Sequence, residues 1–428
     1  MMLTIIFSTL PFFVALCWLG VYVIDYREHK RDKKIFAYML ATLAVLYLTH
    51  ATFYLDEREL FGVLESLYAY CYLAVYPLSY LYIKALTDPR PLQKKNFAMM
   101  TIPVAVFIWS IACYAAMGSD RQLFINHYFF HDGPKPEQTP AVFLQIARLT
   151  VSRVIFGLQM ILVIVYGSRN LNSFKKKVSD FYSNVDGHDL RSIRLFIRIL
   201  WGYSAVALIA SIVGRSFFAS SEWMLVSSSL IFSSLLYCLC YAVRKEDFSA
   251  DRFEEDVTSH SSSPAAAPAS NPDTPSAPEE SEALAASAAG RDGETSESSP
   301  AAGASNAESK PDPSATDHYG WIGPALDALM TSEEVFRNDE LLITDVARMI
   351  GSNRTYVSTY LNKEKGMSFS EYINSYRIEY AKHLLDTDSR MNLAEISERS
   401  GFSSEASFYR VFKCLTGKTP NGYRSSRQ

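Results

Sequence analysis

Two stretches near the carboxyl end repeat one pattern: residues 343–366 read ITDVARMIGSNRTYVSTYLNKEKG, and residues 393–417 read LAEISERSGFSSEASFYRVFKCLTG. Gly351 and Gly401 are offset by 50 residues, whereas Val357 and Phe408 are offset by 51. Each copy has a short amphipathic helix pattern, a glycine-centred turn and a second helix pattern. The repeat predicts two helix-turn-helix units, the second with one extra residue in its turn.

The stretch between the two copies, MSFSEYINSYRIEYAKHLLDTD at 367–388, predicts one long helix that begins with a capping box of Ser368 and Glu371. We call the second helix of each unit its reading helix. A rigid connection that held the reading helices about 34 Å apart would place them in successive major grooves. Arg377, beside apolar residues, is expected to bond internally rather than to DNA. Residues 321–336 predict a further helix packed on the first unit.

At these residues the chain resembles the AraC/XylS family of bacterial transcription regulators, over residues 321–427, about a quarter of its length. The motif GFSSEASFYRVFKCLTGKTPNGYR at 401–424 carries most of the likeness. The resemblance implies an all-α domain that binds promoter DNA, often as an activator, with RNA polymerase as a partner and the rest of the chain as sensor. The first unit departs at 360–362, where the family often has Leu, Phe and Lys.

Candidate DNA contacts follow from the faces of the two reading helices. In the second, Arg410 is a candidate for guanine and Glu405 for cytosine, whereas Lys413 and Arg424 suit phosphate, which positions without specifying. Each has the alternative of a solvated surface residue. From 341 onward, 13 basic and 9 acidic residues give a net charge of +4. The remaining candidates are Arg354, Thr355, Ser358 and Thr359, with Lys363 towards phosphate, in the first helix, and Ser407 and Tyr409 in the second.

The first 245 residues predict a membrane domain. Seven apolar runs are each about long enough to cross a bilayer, which needs roughly 20 residues. A seven-helix transmembrane bundle is therefore expected. The runs are 3–24, 35–55, 60–83, 97–117, 143–166, 195–214 and 223–243.

The loops between these runs predict the orientation. Alternate connections carry 17 Lys and Arg residues on one side and 4 on the other. Basic loops stay in the cytoplasm. We therefore expect the N-terminus outside the cytoplasmic membrane and the C-terminal half inside.

His50, Glu65 and Arg148 form a candidate ligand pocket, since all three lie about 7–8 Å inside the outer ends of their runs. Ionisable groups inside a bilayer are costly and often mark sites. The alternative is a buried structural pair of Glu65 and Arg148. The outer loop 118–142 is expected to cover the pocket, and Arg153, near mid-membrane, lacks an evident partner.

Residues 246–316 predict a disordered linker between the two domains, the second being 317–428. Between 251 and 316 there are 3 basic and 13 acidic residues and no Trp or Tyr. So few large apolar groups do not offset the entropy of ordering. The segment is expected to act as a tether, either inert or cleaved to release the C-terminal domain.

No nucleophile–base arrangement, phosphate-binding loop or metal-ligand cluster stands out, so no enzyme activity, cofactor or metal is expected. The predicted partners are double-stranded DNA, the lipid bilayer, RNA polymerase, a second copy of the chain in a homodimer, and an unidentified small-molecule signal. Two alternatives remain open: a transporter or membrane enzyme whose C-terminal domain regulates its own gene, and a plain membrane anchor without sensing.

Overall fold

The computed structural model describes residues 2–24, 31–188, 191–214, 217–218, 221–245, 248–261, 320–388 and 390–426. Among these residues the fold is all-α, as predicted, and the only β-type pairing is an isolated bridge between Tyr182 and Leu342. The first half forms long apolar helices: α1 Met2–Ile24, α2 Arg31–Tyr54, α3 Arg58–Thr87, α4 Thr101–Met117, α5 Asp120–Phe129, α6 Pro140–Ser179, α7 Arg191–Val213 and α8 Glu222–Arg244.

Each of the seven predicted spans coincides with one of these helices. Six helices among the described residues are long and apolar enough to cross a membrane, and α3 is not one of them. The reason is its position, because α3 packs against α2, α4 and α6 at the centre of the bundle. There 19 of its 30 residues are buried, Glu65 among them. Because neighbouring helices cover α3, its sequence tolerates polar groups that lower its mean hydropathy.

Helix α6 is far longer than the predicted span at 143–166, with 40 residues and a length of about 60 Å. Its first turn begins with Thr139, whose side chain accepts a hydrogen bond from the Val142 amide, and Pro140 occupies the first helical position. Its last turns bury Phe174 and Val178. Apolar side chains beyond the span show that this end of α6 packs on protein.

A ninth helix, α9 Ala250–Ser261, lies where the sequence predicted the start of a disordered linker. That prediction is wrong for residues 250–261, because Phe248 and Phe253 are buried beside α6. Their rings contact Phe174 at centroid distances of 6.1 and 5.9 Å. These two rings bury enough apolar surface to stabilise the helix, although the segment as a whole has an acidic composition typical of disorder. The rest of the predicted linker, 262–316, lies outside the described residues.

The C-terminal part contains both predicted helix-turn-helix units. The turn of the first spans 350–353 and that of the second 400–404, which confirms the extra residue. The capping box of Ser368 and Glu371 is present, and the helix predicted at 321–336 occurs as Ile322–Ser332. The helices are α10 Ile322–Ser332, α11 Ile343–Met349, α12 Arg354–Lys363, α13 Phe369–Thr387, α14 Leu393–Arg399, α15 Glu405–Thr416 and α16 Pro420–Ser425.

The C-terminal helices dock on the loop that follows α6. The bridge between Tyr182 and Leu342 is flanked by two backbone hydrogen bonds of 3.1 Å each. They run from the Ser183 amide to the Leu341 carbonyl and from the Ile343 amide to the Phe181 carbonyl. The Ser370 hydroxyl donates to the Ser183 carbonyl at 3.0 Å. These bonds satisfy polar backbone groups on both sides of the contact.

Candidate functional site

The first reading helix, α12, begins at Asn353, whose side chain accepts a hydrogen bond from the Tyr356 amide at 3.0 Å. Val357 and Leu361 point into the core with no exposed surface. Of the predicted contact residues, Thr355 and Lys363 are exposed. The other three, Arg354, Ser358 and Thr359, are half-buried.

Arg354 is half-buried because it lies against the loop after α6. Its guanidinium carbon is 5.2 Å from the centroid of the Phe181 ring. Burial lowers the pKa of Arg354, although the carboxylates of Glu254 and Asp180 partly oppose that shift. The side chain predicted to enter a DNA groove therefore contacts an aromatic ring of the same chain.

The second reading helix, α15, is built in the same way. Ser404 is its N-cap, and Phe408 and Phe412 are fully buried on its inner face. Its outer face carries the charged candidates. Glu405, Arg410 and Lys413 are exposed, and Tyr409 is half-buried.

Two predicted contact residues have polar partners within the chain. Ser407 is only 3% exposed, and its hydroxyl bonds to the Asp186 carboxylate and accepts a hydrogen bond from Arg410 at 3.4 Å. Arg424 donates to the Met391 carbonyl at 2.6 Å, so its guanidinium holds the loop before α14. A groove contact for Ser407 and a phosphate contact for Arg424 stay predictions.

Asp186, in the loop after α6, lies at the N-terminus of α15. Its carboxylate forms an ion pair with Arg410 and accepts a hydrogen bond from the Ser404 hydroxyl at 3.2 Å. Burial opposes ionisation of Asp186, but hydrogen bonds from Ser407 and Arg410 outweigh it, so the pKa of the carboxyl lies below its usual value. A carboxylate at a helix N-terminus is favoured by the exposed amides there.

Arg377 of α13 is fully buried and bonds internally, as predicted. Its guanidinium donates to the carbonyls of Phe336 and Asn338 at 2.7 Å each and to the Ser183 hydroxyl at 3.1 Å. It also lies 5.7 Å from the centroid of the Phe402 ring. Burial lowers its pKa to about 10. One side chain thus ties together both helix-turn-helix units and the loop after α6.

The part of the chain from α11 to α15 consists of two helix-turn-helix units joined by the long helix α13. In each unit the reading helix has a buried inner face. A family model described as a helix-turn-helix domain matches residues 346–426. These residues form an AraC-type helix-turn-helix domain. Domains of this class bind DNA by placing the second helix of a unit in the major groove.

Curated relatives of the AraC-type domain are HTH-type transcriptional regulators. YtdP of Bacillus subtilis strain 168, an uncharacterised member, is 40% identical over 90 residues, which are 21% of this chain and 11% of that protein. SAS0078 of Staphylococcus aureus strain MSSA476 is 34% identical over 95 residues, 22% of this chain and 12% of that protein. The chain thus spans only about a ninth of the length of these relatives.

Solved structures similar to the AraC-type domain include C-terminal domains of response regulators. That of yesN from Fusobacterium nucleatum is 26% identical and covers 24% of this chain and 97% of its own, with a TM-score of 0.22. That of AraT from Geobacillus stearothermophilus is 28% identical and covers 25% of this chain and 85% of its own, with a TM-score of 0.23.

The three predicted pocket residues line one cavity of about 320 Å³ in the apolar bundle. Glu65 and Arg148 are 1% and 2% exposed and form an ion pair of 2.6 Å. Gln145 accepts a further hydrogen bond from Arg148 at 3.1 Å. His50 Nε2 lies 3.3 Å from the Tyr68 hydroxyl. The loop predicted to cover the pocket contributes Tyr128, Phe129 and His131 to its lining.

Sequence reasoning missed Asp186 and the caps Asn353 and Ser404. The caps carry a readable signal, because Asn or Ser directly before a helix pattern marks an N-terminus. Asp186 has no such signal. It lies 218 residues from Ser404, and no local pattern indicates that the two meet.

Proposed function

We propose that this protein is a transcription regulator held at the cytoplasmic membrane, with the helical bundle acting as a sensor. The observation that carries the proposal is the presence, in one chain, of an AraC-type domain and, within the described residues, six helices long and apolar enough to span a bilayer. The proposed orientation has the N-terminus outside and the AraC-type domain in the cytoplasm. The excess of 17 over 4 basic residues in alternate loops supports it.

The proposed domain division is 1–245 for the membrane domain and 317–428 for the DNA-binding domain. The linker between them begins after α9, since residues 250–261 form a helix packed on α6. Its length lets the DNA-binding domain stay attached when it leaves the loop after α6.

In the proposed complex with DNA, the exposed faces of both reading helices lie in successive major grooves. Arg354, Thr355, Ser358 and Thr359 serve the first groove, and Glu405, Tyr409 and Arg410 serve the second. Lys363 and Lys413, exposed at the ends of these faces, neutralise phosphates. Ser407 in the second groove and Arg424 at a phosphate complete the proposed contacts, once each side chain gives up its partner within the chain.

The sensing role is supported by the cavity around His50, Glu65 and Arg148. Helix α6 contributes Arg148 to that cavity and leads, at its other end, into the loop on which the AraC-type domain docks. A small-molecule signal in the cavity is proposed to change how the domain is presented to DNA. A homodimer, which raises the effective concentration of paired domains, and RNA polymerase at the promoter complete the set of proposed partners.

The test uses the tagged full chain in cells. Membrane fractionation should recover the protein in the membrane, and pull-down of its cross-linked DNA should enrich a small set of promoters. A second strain carries residues 246–428 on one unrelated membrane helix. Regulation that persists but no longer responds to growth conditions supports the sensor. Unchanged regulation favours a plain anchor, and absence of promoter enrichment overturns the proposal as a whole.

A further inference from the structure

The cavity in the helical bundle has apolar walls with aromatic hydroxyls that already have partners. The Tyr47 and Tyr203 hydroxyls lie 2.7 Å apart, and the Tyr76 hydroxyl donates to Ser204 at 3.0 Å. The Phe156 ring stacks on Tyr72 at a centroid distance of 4.3 Å. These side chains shape a space for an apolar body without offering free polar groups.

The buried ion pair in the cavity wall is neutral overall, and both of its members already have partners. Arg148 is matched by Glu65, and the Ser110 hydroxyl donates to the second Glu65 oxygen at 3.4 Å. The pair adds no net charge. A ligand that bound to either member would have to compete with a contact of 2.6 Å.

Arg153 lines the same cavity and lies five residues after Arg148 in α6. Unlike Arg148, it is not matched by a carboxylate in the part of the cavity wall that the structure describes. Its side chain is exposed and has no hydrogen-bond or ion-pair partner in the described part of the chain. Inside a bilayer such a charge is expensive and normally pairs. Among the described residues that line the cavity, Glu65 is the only acidic side chain.

Two serine hydroxyls in the wall of the same cavity support a polar ligand. Ser152 and Ser229 line the cavity and are 5% and 4% exposed. Neither hydroxyl has a hydrogen-bond partner among the described residues. Buried hydroxyls of native proteins are nearly always bonded, so these two are candidates to bond a ligand.

We propose that the cavity binds an anionic amphiphile, with its acid group at Arg153 and Ser152 and its apolar body against the aromatic walls. The proposal deepens the sensing role and rests on it for its biological meaning. A carboxylate and a phosphate ester share the chemistry that Arg153 recognises, and the test separates them.

The test measures binding to the purified full chain in phosphatidylcholine nanodiscs, with empty nanodiscs subtracted. The probes are decanoate, decyl phosphate and decan-1-ol, which share one alkyl chain. The wild type should bind at least one anion about tenfold more tightly than the alcohol. Preference for the carboxylate indicates a fatty-acid-like ligand, and preference for the phosphate indicates a phospholipid-like one.

Two variants and a control locate the site. R153Q should lose the preference for anions, and R153K should keep it because the charge remains. R169Q removes an exposed arginine of the same helix outside the cavity and should behave as wild type. Equal binding of anion and alcohol, or an anion preference that survives in R153Q, overturns the proposal. Since no DNA is present, failure here leaves the regulator function to its own test.

A second inference concerns the reading helices and rests on different residues. Arg410 and Ser404 of α15 are engaged by Asp186, and Arg354 of α12 lies against Phe181. Asp186 thus holds an anionic group at the N-terminus of a reading helix, where HTH domains commonly accept a DNA phosphate. Both reading helices meet the same loop, residues 180–188.

We infer that this loop is an intramolecular partner of the DNA-binding surface, and that the docked domain does not bind DNA. In this loop the Asp186 carboxylate takes the place of a DNA phosphate and the Phe181 ring takes the place of a base. Binding to a duplex requires the AraC-type domain to leave the loop, breaking the ion pair of Asp186 with Arg410 and the backbone bonds at Ser183.

The test compares D186N with D88N in the full chain in nanodiscs, using a random-sequence duplex at low ionic strength. D88N removes an acid from the end of α3, away from the reading helices. D186N should bind DNA about fivefold more tightly than wild type, and hydrogen exchange at the Ser183 amide should be faster. D88N should change neither. Equal affinities of the two variants, or tighter binding without faster exchange, overturns the inference.

Discussion

The guanidinium of Arg377 donates from Nε to the carbonyl of Phe336 at 2.7 Å, across 41 residues of sequence. Asn338 accepts a second bond of 2.7 Å from the same group. A fork with fixed geometry suits two carbonyls in one turn, which a single ammonium does not match. The connection between α10 and α11 is therefore held in place by the central helix α13.

Replacing Arg377 should destabilise the AraC-type domain. R377A leaves the buried Phe336 carbonyl and the part-buried Asn338 carbonyl without this donor and is expected to lower the free energy of unfolding by about 2–4 kcal/mol. R377K should recover only part of that loss. Hydrogen exchange of buried α13 amides in the full chain measures the change. R348Q, at a side chain 49% exposed, is the control and should stay within about 0.5 kcal/mol of wild type.

The two turn glycines should respond differently to alanine. Both have positive φ, +68° at Gly351 and +79° at Gly401. A Cβ at Gly401 would lie 2.6 Å from the Phe336 carbonyl oxygen, whereas at Gly351 it would meet nothing within 4 Å. G351A should cost about 1–2 kcal/mol from backbone strain alone, and G401A clearly more. The same exchange measurement compares them, and equal losses would contradict the steric account.

Replacing Arg410 should change the sequence specificity of DNA binding, whereas replacing Lys413 should change only its affinity. Selection of duplexes from a random pool should give R410A an altered base preference, because the side chain is assigned to a base edge. K413A should weaken all duplexes alike and reduce the slope of log affinity against log salt by about 0.9. K382Q, at a lysine of α13 paired with Glu379, is the control. A K413A slope equal to that of wild type would remove Lys413 from the phosphate contacts.

Breaking the buried pair in the helical bundle should destabilise the bundle. E65Q leaves the 2% exposed Arg148 without its counter-charge, which is expected to cost about 3–5 kcal/mol. The double variant E65Q/R148Q should recover much of the loss. Thermal unfolding of the full chain in detergent tests both, with E59Q at the exposed start of α3 as control. A double variant less stable than E65Q would show that the charges are not coupled.

Acid should loosen the loop on which the AraC-type domain docks. The His188 ring stacks on Tyr182 at 3.5 Å, and burial lowers the pKa of His188, with Arg252 adding to the shift and Asp256 opposing it. A base with a lowered pKa stabilises the packed state above its ordinary pKa and loses that contribution as the pH falls. Exchange at the Ser183 amide, corrected for its intrinsic rate, should speed up between about pH 7.5 and 5.5. H188F should abolish this dependence.

Periodicity predicted most of the elements because it reports local burial. Local sequence patterns were enough to predict the long apolar helices and the duplicated unit with its extra turn residue. The same is true of the cap of α13 at Ser368. Helix α9 was missed because Phe253 and, just before the helix, Phe248 stand in an acidic segment whose average composition indicates disorder, although both rings are buried. The burial of these two rings stabilises a helix in a segment whose average composition is typical of disorder.

Long-range pairings were beyond that kind of reasoning. Tyr182 and Leu342 lie 160 residues apart, and the contact between Asp186 and Arg410 spans 224. No period or motif connects such positions. The same holds for the hydrogen bond from Arg424 to the Met391 carbonyl, which joins residues 33 apart.

The uninterrupted length of α6 has a mechanical consequence. Arg148 and Arg153 lie near one end of a 40-residue rod, and the loop that carries Asp186 follows the other. A tilt of about 5° around the first end displaces the second by about 5 Å over some 60 Å of rod. That displacement exceeds the reach of any hydrogen bond. A small change of angle at the cavity end of α6 would therefore be enough to make or break contacts of the loop that carries Asp186.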